Sequence, residues 1–204
     1  MSTRRQKQKV GMLYPVWAKL NSHTDGSMPT YGTGRVLCEA RNATTTFEFG
    51  NNPDHGDDRV VADDNSPTGM TMSFEPTGLP NEDRIEVLGE EARAVTDGGQ
   101  WVSDTPSPWG GFGYIDKMLN DDTETYSYEA WLTLCIHFRE ETRTSATKEG
   151  SITWGHPSLN GRAKPLEVDE SGKLRFQLHE NFATMAAAKA WLNGLLNVPA
   201  ATTT

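Results

Sequence analysis

Residues 126–140 read YSYEAWLTLCIHFRE. Leu132, Leu134, Ile136 and Phe138 fall on one side of a period-two pattern, and Trp131, Thr133, Cys135 and His137 fall on the other. Aromatic and branched residues at that period predict a long strand, since successive side chains of an extended chain point to opposite faces. The same period recurs in Met70, Met72 and Phe74, which alternate with Thr71, Ser73 and Glu75. One apolar and one polar face there predict a half-buried strand.

Further strands follow on both sides. Gly11–Leu20 is one, with Pro15 marking an edge or a bend. Another runs from Val36 to Phe49, with Thr45, Phe47 and Phe49 opposite Thr44, Thr46 and Glu48. GFGYIDKM, Ile152–Trp154 and the hairpin PLEVDESGKLRFQL, turning at DESG, complete the set. GNNPDHGDD after Phe49 is expected to have no regular structure, because Gly, Asn, Pro and Asp punctuate it. LPNEDRIEVLGE reads as a short helix with Ile85 and Leu88 on one side, closed by Gly89. A second helix lies in NFATMAAAKAWLNGLL, capped by Asn181 or Thr184, with Met185, Ala188, Trp191, Leu192 and Leu195 as its apolar face. The expected fold class is mainly β, two packed sheets in a sandwich or barrel-like arrangement with a flanking short helix and a C-terminal helix. The expected domain layout is an arm at 1–9, a β-sandwich at 10–178 with a long loop at 50–67, a helix at 179–197 and a tail at 198–204.

The 204 residues carry a formal net charge of −9. Arg4, Arg5, Lys7 and Lys9 hold four positive charges, leaving −13 on residues 10–204. So acidic a body argues against wrapping nucleic acid, which needs stripes of Lys and Arg. The basic start is expected either to dock on an acidic face of another copy or to be a polar tail. No apolar run approaches the roughly 18 residues that span a bilayer, and no signal peptide is visible. A cytoplasmic origin with free Cys38 and Cys135 thiols is expected.

No catalytic set emerges, and no enzyme or cofactor is expected. His55, Asp57, Asp58, Asp63 and Asp64 are oxygen-rich, as Mg or Ca would require, but calcium-loop and zinc spacings are absent. Ser145–Lys148 spells S-x-x-K without its companion motifs. The glycines of WGGFG match no phosphate loop and mark close backbone approach. Trp17, Trp131, Trp154 and Trp191 are expected in core or interface, leaving Trp101 and Trp109 as exposed candidates for a glycan platform.

The order of several short strings resembles the major tail tube proteins of long non-contractile phage tails. A first strand leads to Pro29-Thr30-Tyr31, and Ala62-Asp63-Asp64 precedes an alternating strand. Leu79-Pro80 opens a helix that ends Leu88-Gly89, and Phe112, Gly113 and Tyr114 form an aromatic-glycine strand. Pro157, Leu159 and Gly161 stand in SITWGHPSLNGRA. The likeness covers about residues 10–165, and the hairpin at 164–178 departs from it. The resemblance implies a structural virion protein whose hexameric rings join their inner sheets into one barrel and stack into a tube. It implies itself, the tape-measure protein and the tail terminator as partners, with viral DNA passing through unbound and no membrane. Asp57, Asp58, Asp63 and Asp64 then become candidate residues of an acidic lumen or an inter-ring contact, and Arg4, Arg5, Lys7 and Lys9 a candidate inter-ring arm. Two alternatives stand beside this: another ring-forming component, such as a terminator or a secretion-tube-like subunit, and a β-sandwich glycan-binding module using Trp101 and Trp109.

Overall fold

The computed structural model describes residues 7–50, 54–56, 59–62, 66–93, 99–120, 123–140 and 155–200. The strands are Lys7–Ser22 (β1), Thr30–Tyr31 (β2), Arg35–Val36 (β3), Ala40–Phe49 (β4), Asp54–Gly56 (β5), Arg59–Ala62 (β6) and Pro67–Pro76 (β7). Helix α1 spans Asn81–Leu88. Then come Glu91–Ala92 (β8), Gln100–Trp101 (β9), Gly110–Asn120 (β10), Thr125–Arg139 (β11), Leu159–Ala163 (β12), Leu166–Glu167 (β13), Leu174–Arg175 (β14) and Gln177–Phe182 (β15). Helix α2 spans Met185–Leu195. The molecule is mainly β, as its alternating segments predict.

Among the described residues, nine strands form one antiparallel sheet, ordered β2-β1-β10-β11-β12-β7-β4, with β3 on β1 and β15 on β11. The far edge of β11 is shared. Tyr128–Thr133 pairs with β15, and Ile136–Arg139 pairs with β12. Between those stretches the ladder to β10 slips, from Thr133 opposite Phe112 to Ile136 opposite Gly110. Three steps on one strand against two on the other is a β-bulge, and an extra residue reverses which face each later side chain meets.

The bulge overturns the expectation that Leu132, Leu134, Ile136 and Phe138 share a face. Leu132, Leu134 and Cys135 pack with α2, whereas Ile136 and Phe138 enter the other core. A matching slip in β1, between Leu13 and Val16, brackets Pro15. It switches β1 in the same way, from Met12 before it to Trp17 after it in the first core. Pro15 lacks an N–H but still accepts a 2.9 Å hydrogen bond from the Leu37 N–H. The proline thus sits at a bulge of an interior strand, not at an edge.

Two cores result. Trp17, Met70, Met72, Phe74, Phe112, Ile136, Phe138 and Leu159 fill the first, where the β12–β7–β4 branch curls back so that β4 approaches β1. That gives the sandwich-like layering. Phe74 and Phe112 have ring centroids 4.9 Å apart, and Phe112 and Phe138 meet edge-on at 5.2 Å. The second core lies between β10, β11 and α2 and holds Val16, Ile115, Leu132, Leu134, Ala188, Leu192 and Leu196. On this side β10 presents Gly111 and Gly113. A Cβ on Gly113 would stand 2.7 Å from Leu192 Cδ2, so the missing side chains are what let the helix seat.

Thr184 caps α2 by accepting from the Ala187 N–H at 3.2 Å. The helix therefore starts later than expected, because residues 177–182 are held extended on the edge of β11. Val87, and not the Ile85–Leu88 pair, is the fully buried apolar residue of α1. Gly89 ends α1 in the left-handed region at φ 74°. The expected hairpin around residues 168–173 is present as β13 and β14. The segment after Phe49 differs from expectation, since β5 and β6 pair with each other. Local turn chemistry suffices for so short a hairpin, and needs no apolar alternation. The strand expected at Ile152–Trp154 lies outside the described residues.

Candidate functional site

The expected acidic group and the expected arm fall largely beyond view. Asp57, Asp58, Asp63, Asp64, Arg4 and Arg5 lie outside the described residues. Lys7 and Lys9 do not belong to a separate arm: β1 begins at Lys7, four residues earlier than its alternation predicts. Lys9 Nζ lies 2.9 Å from the buried Asp116 carboxylate and 5.8 Å from the centre of the Tyr114 ring. Burial raises the Asp116 pKa, and Lys9 opposes that rise. Lys9 is therefore engaged within its own chain.

What the described fold exposes is strand edge. Among the described residues β4 ends the sheet opposite β2 and has only β7 as a ladder partner, and β15, which branches from β11, has only β11. Phe49 on β4 is 55% exposed and Phe47 39%, while Leu178 on β15 is 39% exposed. Such edges present unpaired N–H and C=O groups, and single chains ordinarily shield them with charge, proline or a bulge.

The outward face of the β4 branch is polar in two cross-strand rows. Thr46, Thr71, Arg162 and His137 are successive register partners, as are Thr44, Ser73, Asn160 and Arg139. Inward residues between them, Met70, Met72, Ile136 and Phe138, are the first core. Together with Glu48 these rows, His137 excepted, line a concavity of about 440 Å³. Trp109 packs on His137 with ring centroids 4.4 Å apart and planes tilted by 50°, and Ser107 Oγ lies 3.2 Å from His137 Nδ1. The His137 pKa is lowered, first by burial and then by Arg139 and Arg162.

A larger cleft of about 760 Å³ adjoins it across Arg139, between the end of α1 and residues 102–107. Its floor is an ion cluster. Arg84 Nε donates to both Glu90 carboxylate oxygens at 2.9 and 3.0 Å, and Arg84 Nη2 reaches Glu140 at 2.7 Å. The hydrogen bond to Glu90 is the main reason the Arg84 pKa is raised. All three side chains are mostly buried. Both carboxylates are thereby occupied in fixing the end of α1 to the end of β11, which is a structural use of charge. Trp101 stands exposed, with the Arg93 guanidinium 5.4 Å from its ring centre.

The sequence matches no protein-family model and no curated protein. Among the described residues no three His, Cys, Asp or Glu side chains gather as a metal site. No helix of the described residues is long and apolar enough to cross a membrane. Arg139, Arg162 and Leu178 carry no motif that singles them out in the sequence. Only register brings Arg139 and Arg162 to one face, and β4 exposes Phe47 and Phe49 beside Arg41, Glu48 and two register shifts.

Proposed function

We propose that this chain is a structural subunit that assembles with copies of itself by joining strand edges, into stacked rings that form a phage tail tube. The reading rests on one observation, that among the described residues β4 and β15 are both terminal strands of one sheet and have no ladder partner on their outer sides. Two different edges on one subunit suit a head-to-tail contact, and head-to-tail contacts close into rings or run on as filaments. Joining β4 of one copy to β15 of the next continues the sheet between subunits and removes both edges. The net charge of −9 makes such an assembly acidic overall, which lets a phosphate chain slide through without adhering. The tape-measure and terminator partners belong to the same reading and come from the resemblance alone.

Negative-stain electron microscopy of the purified chain, with sedimentation velocity, tests this. Rings or tubes that lengthen with protein concentration are expected. A monodisperse monomer at millimolar concentration would overturn it. A second reading draws on exposed Trp101 beside the larger cleft: a saccharide-binding module, which would run as a monomer and retard on a glycan affinity column.

A further inference from the structure

We infer that the Arg139–Arg162 face is the receiving surface for the acidic 54–64 segment of a second copy, an inference that rests on the self-assembly reading. The first ground is an imbalance of charge. Arg35 pairs with Glu82 and Asp83, Arg84 with Glu90 and Glu140, Arg175 with Asp169, and Lys9 with Asp116. Among the described residues neither Arg139 nor Arg162 has an ion-pair partner. In a chain with 28 acidic residues against 19 basic ones, two neighbouring cations with no ion-pair partner among the described residues are open to a carboxylate from another copy.

The second ground is the shape and chemistry of the surface. Arg139 and Arg162 sit on adjacent strands in adjacent rows, a diagonal of roughly 7–8 Å. They flank a concavity of about 440 Å³ whose other walls include the hydroxyls of Thr44, Thr46, Thr71 and Ser73. Guanidinium forks and hydroxyls are donors matched to carboxylate oxygens. Glu48 at the rim is the opposing charge, and the neighbouring His137 has its pKa lowered, first by burial and then by Arg139 and Arg162.

The third ground is the occupant. Residues 54–64, DHGDDRVVADD, hold five aspartates against Arg59 alone. Among the described residues β5 and β6 pair with each other and join no strand of the main sheet. The receiving face adjoins the free edge of β4, so a copy docked there lies next to the proposed strand joint. The basic N-terminal residues are the competing partner for these aspartates, and of them Lys9 already serves Asp116.

Sedimentation and electron microscopy of four full-length proteins test the assignment: wild type, R139E/R162E, the milder R139Q/R162Q, and R139E/R162E combined with D63R/D64R. Wild-type assembly is expected to weaken as salt rises from 50 to about 500 mM, because screening reaches exposed pairs within a few ångströms at that strength. The R139E/R162E protein should lose at least tenfold of its sedimenting fraction, and the charge-swapped protein should regain most of it. R139Q/R162Q carries the same expectation if circular dichroism shows R139E/R162E unfolded. Wild-type polymers matched in length and salt response by R139E/R162E overturn the inference while leaving self-assembly intact. A wild type that never assembles overturns both. A twelve-residue oligothymidine that binds wild type but not R139Q/R162Q, with assembly equal in the two, assigns the face to phosphate and also overturns it.

Discussion

Arg84 shows how a single residue can carry both a tie and a risk. It bonds Glu90 and Glu140 at once, and all three side chains are at most 13% exposed. Removing the cation leaves two buried carboxylates without compensation, a loss worth about 3 kcal/mol or more. Arg84→Leu is expected to lower the urea midpoint accordingly, with the slope of the transition unchanged. Asp116 makes the opposite case. Its pKa is raised by burial despite Lys9, so between the ordinary carboxylate value and the raised one the folded state holds the extra proton. Stability from this group is present below that window and is lost as pH climbs through it. Asp116→Asn should therefore gain stability relative to wild type between pH 4 and pH 7. Paired urea titrations at the two values measure the gain, and a variant that tracks wild type at both contradicts the sign.

At the scale of elements, the fit of α2 on β10 depends on absent atoms. Gly111 and Gly113 face the helix, and a Cβ on Gly111 would lie 2.7 Å from both Leu196 Cδ2 and Tyr31 Cε1. Gly113→Val is expected to cost about 1–3 kcal/mol by overpacking. Because Tyr14 donates to Asn193 and Asn197 donates to the Tyr31 carbonyl, the strain should reach both ends of the helix contact. Hydrogen exchange in residues 185–197 should rise in this variant before exchange in β7 does. The termination of α1 is a second such point. Gly89 has φ 74°, and a Cβ there meets Pro108 Cδ at 3.2 Å. Gly89→Ala should destabilise by about 1 kcal/mol through the left-handed backbone alone.

At the scale of the molecule, two cores on opposite sides of one sheet leave the outer sides of β4 and β15 without a ladder partner among the described residues. Charges placed there should stop assembly without unfolding the subunit. Phe49→Lys together with Leu178→Lys removes exposed apolar contact and adds the kind of charge that shields natural edges. The double variant is expected to stay monomeric where wild type forms rings, with a thermal midpoint within a few degrees of it. Tubes of normal length from this protein would exclude the β4–β15 joint.

The strands themselves were legible because alternation is a local property. Met70, Met72 and Phe74 point inward as their spacing says, and Thr184 and Gly89 bound their helices by local hydrogen bonding and backbone conformation. Mainly β character followed from such segments alone. The sequence by itself determined where the chain is extended, where it coils and which residues shun water. Tertiary structure decided the rest, because a bulge is written in the register between strands and leaves no mark in the period of either. Leu134 and Ile136 face different cores for that reason, and Arg139 and Arg162, 23 positions apart, share one surface only once β11 lies beside β12.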